Sequence, residues 1–241
     1  MAPITSGLLT GNEVIIGGFA AGTLLVDQSA SVNAAGANVH VSGGFNGTQT
    51  TAPGTLTVKN GATLTADTVT IYQNGTLNGN GTVDANVVLS GGAISPGNSP
   101  GTETINGNLD LASGTLNLEI GSDILADHLN VSGNVIIGTD VVFNLIFEYV
   151  PTFGKAIDLD DFFSLTGGGT LAFAPSFDLA SQFNVQGLTA GSEIILTADG
   201  QRSVFAAAAA AVPEPASIAL LLAGIGGLAA VRRRRKTAGL I

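Results

Sequence analysis

Cysteine and tryptophan are both absent from the 241 residues, and lysine and arginine together number only eight. Without cysteine no disulfide framework and no thiolate metal site can form, and with only His40 and His128 as imidazoles a zinc site is not expected. Tyr72 and Tyr149 are the only tyrosines, so platforms for stacking sugar rings are scarce. The cations are also badly placed for a polyanion. Five of the eight are Arg232, Arg233, Arg234, Arg235 and Lys236, and the chain before Val212 keeps only Lys59, Lys155 and Arg202 against seventeen carboxylates, a net charge of −14. Neutralising phosphates needs clustered Lys and Arg, so nucleic acid is excluded as a partner.

What is present is glycine, at 34 positions, in a chain that is 45% hydrophobic and 11% charged. That balance is too apolar for disorder and too rich in glycine for a helical bundle. From Gly7 to about Ile137, short runs of Val, Ile, Leu and Thr are punctuated by Asn-Gly and Gly-Gly turns, which is strand punctuation. Leu56 and Val58 alternate with Thr55 and Thr57, and Leu116, Leu118 and Ile120 alternate with Asn117 and Glu119; a period of two puts one face in and one out. Gly-Thr-Leu recurs at Gly22, Gly54, Gly75, Gly114 and Gly169, at intervals that include a solenoid coil length. The pairs Asn60-Gly61, Asn74-Gly75 and Asn106-Gly107 suit hairpin turns or coil corners, and the recurring triplet favours corners.

After Asp140 the texture changes: nine of the eleven phenylalanines lie between Phe143 and Phe205, among them Phe147, Phe162, Phe163, Phe173 and Phe177. A solenoid needs its open hydrophobic end covered, and these bulky residues suit such a cap, a small β-sandwich being the alternative. The expected organisation is a β-solenoid over residues 1–140, a Phe-rich β cap or small β domain over 141–205, an alanine-rich linker over 206–211 and a tail over 212–241. The fold class expected is all-β, with one transmembrane helix in that tail.

The tail reads in three parts: Val212, Pro213, Glu214 and Pro215, then an uncharged apolar run over 216–231, then Arg232, Arg233, Arg234, Arg235 and Lys236. As a helix the run would span roughly 24 Å at about 1.5 Å per residue, a little short of a hydrocarbon core of about 30 Å. By the positive-inside rule the basic cluster stays in the cytoplasm and the body lies across the membrane. An N-terminal signal peptide is not visible, since the first basic residue is Lys59 and Glu13 interrupts the opening apolar stretch, and the expectation is a true start upstream of Met1.

These tail residues closely resemble the PEP-CTERM sorting tail, with Pro213, Glu214 and Pro215 as its proline-glutamate-proline element, 216–231 as its helix and Arg232 to Arg235 as its basic end. The resemblance implies an exosortase as processing partner, cleavage near that element, transient residence in the inner membrane and release to the surface or exopolysaccharide matrix of a Gram-negative bacterium. A second likeness lies in Gly91-Gly92-Ala93-Ile94-Ser95-Pro96-Gly97-Asn98-Ser99-Pro100-Gly101-Thr102, Ile105-Asn106-Gly107-Asn108-Leu109 and His128-Leu129-Asn130-Val131-Ser132-Gly133. These resemble the β-strand repeats of autotransporter passenger domains over residues 54 to 140, which implies a right-handed parallel β-helix; the autotransporter's translocator barrel has no counterpart here.

Chemistry is thinly represented. Asp127-His128 could be drawn as a catalytic cluster with Ser132 or Asp123, but adjacent strand residues point to opposite faces, so a structural role is expected, and no catalytic residue is assigned. His40 reads as an outward strand residue. Asp158, Asp160 and Asp161, near Glu148, are weak calcium candidates whose spacing lacks the EF-hand glycine and distal glutamate; a solvated acidic loop is preferred. The Thr-x-Thr pairs at Thr55/Thr57, Thr63/Thr65 and Thr68/Thr70 could form a flat threonine array, although threonine is also simply a good strand residue. No cofactor is expected. The resulting expectation is a non-enzymatic structural or adhesive protein of the surface or matrix, with a polysaccharide-binding module as the alternative and a lyase or hydrolase behind it. Matrix polysaccharide is the expected further partner, any acidic polymer requiring divalent cations to bridge it to an acidic body.

Overall fold

Alternation with period two produces one-sided strands, and how such strands pair decides the architecture. The computed structural model describes residues 7–10, 12–44, 46, 48–97 and 100–207. Its strands are β1 (Gly7–Thr10), β2 (Glu13–Ile16), β3 (Gly22–Val26), β4 (Ser31–Val41), β5 (Gly54–Val58), β6 (Thr63–Tyr72) and β7 (Gly75–Gly79). They continue as β8 (Thr82–Pro96), β9 (Thr102–Ile105), β10 (Leu109–Ser122), β11 (Leu125–Ala126), β12 (His128–Val131) and β13 (Val135–Phe147). Last come β14 (Lys155–Asp158), β15 (Phe163–Leu165), β16 (Leu171–Phe173), β17 (Phe183–Gln186), β18 (Glu193–Ala198) and β19 (Gln201–Ala206), with a 3-10 turn, Leu159–Phe162, between β14 and β15. The fold is all-β. Sixteen strands form one sheet, parallel except where β1 meets β2 and β10 meets β11, and β14, β18 and β19 form another.

The large sheet is built from three columns of strands, which the chain visits in turn. In the first column β2, the ends of β4 and β6, the middle of β8, the starts of β10 and β13, and β16 lie side by side, stacking Val41, Ile71, Leu89, Leu111 and Ile137 in register. The second column runs through β3, β5, β7, the end of β8, β10, β13 and β17, stacking Leu24, Leu56, Leu77, Ile94, Leu116, Phe143 and Phe183. The third takes the starts of β4, β6 and β8, then β9, β12 and β15, stacking Val32, Leu64, Val83, Ile105, Val131 and Leu165. Neighbouring rungs sit about 4.8 Å apart, so each aliphatic side chain packs on its counterparts above and below. The pairing is compatible with a β-helix.

The same register explains the triplet. Gly22, Gly54 and Gly75 pair with one another, and the leucines that follow them, together with Leu116, occupy a single inward stack. Gly169 stands apart, its Leu171 belonging to the first column. A Cβ on Gly54 would collide with the Ile16 carbonyl, so a side chain is excluded where the chain turns from the first column into the second. The Asn-Gly pairs are corners: β5 pairs with β3 and β7 and never with β6, while Asn60 and Asn74 take positive φ values of 55° and 68°.

The change of texture after Asp140 does not coincide with a break in the chain. β13 runs through residue 140, and its Val141 to Phe147 segment stays paired with β10 in register from Gly114 to Ile120. Phe143 stacks on Phe183 with ring centroids 4.8 Å apart, and Phe173 tilts against Phe177 at 4.7 Å. Ile157, Phe162, Phe177, Ile194 and Leu196 are buried in one hydrophobic cluster with the column leucines.

If Leu116 is an inward rung between Ile94 and Phe143, Leu116→Ala costs about 2–5 kcal/mol in urea denaturation, whereas Thr115→Ala next to it changes stability by about 0.5 kcal/mol or less. Equal costs for the two would contradict this register.

Candidate functional site

On the outer side of the second column, the residues between the inward rungs form a polar stack. Thr57 pairs with Asn78, Asn78 with Ser95, Asn117 with Asn144, and Asn144 with Asn184. Hydrogen bonds run up this stack: Asn117 Nδ2 donates to Ser95 Oγ at 2.9 Å, Asn144 Nδ2 to Asn117 Oδ1 at 2.8 Å and Asn184 Nδ2 to Asn144 Oδ1 at 3.2 Å. Lys59, Glu119, Ile146 and Gln186 flank the stack, and with Thr57, Asn78, Ser95, Asn117 and Asn144 they line an open groove of about 590 Å³, Asn184 continuing the stack outside that lining. A second asparagine stack marks the corner before the first column, where the Oδ1 atoms of Asn86, Asn108 and Asn134 accept from the backbone amides of Asn108, Asn134 and Thr170, one coil onward each time. That stack holds the backbone of the next coil, with Asn108 Nδ2 also donating to Asn86 Oδ1 at 3.1 Å, whereas the groove asparagines bond to neighbouring side chains.

One carboxyl breaks the apolar interior. Glu103 lies in register with the inward Leu129 and Phe163, is fully buried, and neither carboxyl oxygen has a hydrogen-bond partner. Desolvation, reinforced by the charge of Asp127, pushes its pKa well above the usual carboxylate range, so it is held as the neutral acid. Asp127, also buried, accepts from the backbone amides of Gly101 and Glu119, both at 2.8 Å, yet burial outweighs these bonds and raises its pKa to about 6.

The structure separates the sequence-proposed catalytic cluster. Asp127 is turned to the two amides, Asp123 accepts from the Tyr149 hydroxyl at 2.7 Å and faces Lys155 at 3.5 Å, and the Ser132 amide donates to the Ile105 carbonyl. Asp123, Asp127, His128, Tyr149 and Lys155 do line one cavity of about 350 Å³. His128 instead contacts Ser164, Nε2 to Oγ at 2.6 Å, and burial lowers its pKa against the opposing influence of Asp161. Sequence reading missed this pair because only the parallel pairing of β12 with β15 brings the two residues together. It is a hydroxyl beside a neutral imidazole, but the cavity is lined by His128 and not by Ser164.

His40 takes the outward register expected of it but is not exposed. At 6% exposure it is covered by Tyr72, whose hydroxyl lies 3.3 Å from Nδ1, and Glu13 comes within 3.7 Å of Nε2. Burial lowers its pKa more than Glu13 raises it. Of the calcium candidates, Asp158 caps the 3-10 turn, accepting from the Asp160 amide at 3.2 Å and from Thr197 Oγ1 at 2.9 Å, while Asp160 and Asp161 are exposed. Among the described residues no group of three or more His, Cys, Asp or Glu side chains could hold a metal ion. The threonine pairs fall on three different columns, Thr55/Thr57 on the second, Thr63/Thr65 on the third and Thr68/Thr70 on the first, so they do not make one array. Val212, Pro213, Glu214, Pro215, the 216–231 run and the basic cluster from Arg232 to Lys236 lie outside the described residues.

Comparison with known proteins identifies the tail. Residues 211–236 match the PEP-CTERM protein-sorting motif, which marks exported proteins that an exosortase processes and sorts to the cell surface. No curated protein and no solved structure matches the chain, and the likeness of residues 54 to 140 to autotransporter repeats finds no support from a homologue. Among the described residues no helix is long and apolar enough to cross a membrane.

The two raised carboxyl pKa values make stability pH-dependent in a defined direction. A folded pKa above the unfolded value means that the native state binds more protons, so stability is fully present below the unfolded pKa of about 4 and falls as pH rises. For Asp127 the loss falls between about 4 and about 6, and for Glu103 it continues above that range. The lowered pKa values of His40 and His128 work the other way up to the unfolded histidine value of about 6.5, so the carboxyl effect is read above about pH 7: there urea midpoints should decline toward pH 9, and Glu103→Gln should flatten that decline. A Glu103→Gln curve that falls as steeply as the wild type above about pH 7 would show that Glu103 is not held neutral.

Proposed function

We propose that this chain is a structural or adhesive protein of the cell surface or extracellular matrix. The observation that carries the reading is the PEP-CTERM motif at residues 211–236, placed after a body of stacked parallel strands. In this reading the body is a right-handed parallel β-helix, the handedness that parallel β crossovers favour, and the Phe-rich segment over 141–205 caps its end. The apolar run over 216–231 holds the chain in the inner membrane with the body outside the cytoplasm, and an exosortase cleaves near Pro213-Glu214-Pro215. A stacked body works by length, stiffness and surface, which suits scaffolding in an exopolysaccharide matrix. Binding of matrix polysaccharide is the second reading, favoured by the polar groove over the second column.

The sorting reading is tested in an exosortase-bearing Gram-negative host. The wild-type body should appear at the surface or in the medium as a shortened form, and replacing Pro213, Glu214 and Pro215 together by alanine should leave the full-length chain in the membrane fraction. Processing that proceeds unchanged in the triple variant would remove the role given to these residues.

The protein is proposed to be non-enzymatic. Incubation with neutral and acidic polysaccharides should release neither new reducing ends nor unsaturated products, and Ser164→Ala should be indistinguishable from wild type. Product formation lost in Ser164→Ala would overturn this and make the His128–Ser164 pair catalytic.

A further inference from the structure

We propose that the outer groove of the second column binds an extended, uncharged polysaccharide, laid across successive coils and held by Thr57, Asn78, Ser95, Asn117 and Asn144. This deepens the polysaccharide-binding reading and takes from the surface-protein reading only the setting in which such a polymer is met.

Geometry supplies the first argument. Strand pairing fixes one polar side chain per coil at a spacing of about 4.8 Å, a repeat comparable to that of successive residues in an extended glycan. The groove is open, and its volume of about 590 Å³ lies within the range of ligand sites.

Hydrogen-bonding capacity supplies the second. An amide offers two N–H donors and two acceptor lone pairs, and the bonds from Asn144 to Asn117 and from Asn184 to Asn144 use one donor and one lone pair at each junction. The amides of Asn117 and Asn144 are thereby held in orientation, each with a donor and an acceptor left over. A sugar hydroxyl is likewise donor and acceptor at once. Because the amides are already ordered by one another, little side-chain entropy remains to be lost on binding.

Charge selects among polymers. The groove's one cation, Lys59, is 3.6 Å from the Asp27 carboxylate, and Glu119 and Asp127 lie along the same lining. A uronate, sulfate or phosphate polymer would meet net negative charge with no guanidinium fork to receive it. A neutral polymer meets no such barrier.

The test is affinity electrophoresis of the full chain in mild detergent, through native gels containing hydroxyethylcellulose, galactomannan or alginate, the last with chelator present. At least one neutral polymer should retard the wild type while alginate with chelator does not. Asn117→Ala/Asn144→Ala should weaken retardation about tenfold, and Thr68→Ala/Thr70→Ala, on the first column, should leave it unchanged. Asn144→Ala alone provides a milder groove variant that keeps the test valid if the double variant loses its native melting transition. Absence of retardation by both neutral polymers, retardation by alginate alone, or equal retardation of wild type and both groove variants overturns the proposal. Export and processing are read separately by cell fractionation, so a failure of the groove and a failure of the surface-protein reading are told apart.

Discussion

The structure depends on one repeated contact: an aliphatic side chain stacked on its equivalent one strand spacing away. Leu24, Leu56, Leu77, Ile94, Leu116 and Phe143 make this contact along the second column, and Leu64, Val83, Ile105 and Val131 along the third. Each added coil buries its own inward residues against those of the coil before it, so the hydrophobic core is continuous along the stacked strands. Backbone hydrogen bonds between coils are satisfied by the same register, which links the apolar and polar requirements in one geometry. A slip of one residue in any strand would exchange its inward and outward residues.

Coils of unequal length are accommodated at the corners. The glycine that begins the second column lets the chain pass close to a neighbouring carbonyl, and the asparagines before the first column tie each corner to the next coil through its backbone amide. Longer excursions leave between columns without disturbing the stack, as the segment carrying β14 and the 3-10 turn shows by leaving after β13 and returning at β15. Glu103 is the exception to this economy. An inward leucine at its position would join Leu129 and Phe163 without any desolvated carboxyl, so its presence costs stability that the leucine rungs around it must offset.

Much of the second column was legible in the sequence because two signals coincide there: period-two alternation and a recurring Gly-Thr-Leu that stacks in register at Gly22, Gly54 and Gly75. Corners were legible for a local reason, since asparagine and glycine tolerate positive φ. The first and third columns carry no shared tripeptide, and only pairing reveals that Val41 and Ile71, or Ile105 and Val131, are equivalents. Partners one coil apart were hidden for the same reason: His128 with Ser164, Asn117 with Asn144 and His40 with Tyr72 are each separated in sequence by a coil of irregular length. Phenylalanine content suggested a boundary at Asp140 because side-chain size changes there, but backbone register does not follow side-chain size, and β13 continues through it.

The division between tail and body is also a division of charge. Five of the eight cations sit beyond the apolar run, within the sorting motif, and the body retains three, of which Lys59 and Lys155 face carboxylates at 3.6 Å and 3.5 Å. Removing the tail therefore does more than release the body: it changes the charge of the molecule from −10 toward −14 and leaves a surface that repels anionic polymers and other copies of itself at long range. Salt screens that repulsion beyond about 8–10 Å, so contacts within the polar groove, made at hydrogen-bond distance with uncharged groups, are the ones least affected by it. A body so charged repels its neighbours at long range while the amide-lined groove over the second column carries uncharged groups suited to a neutral partner, and both properties arise from which residues occupy the outward positions of one repeating strand pattern.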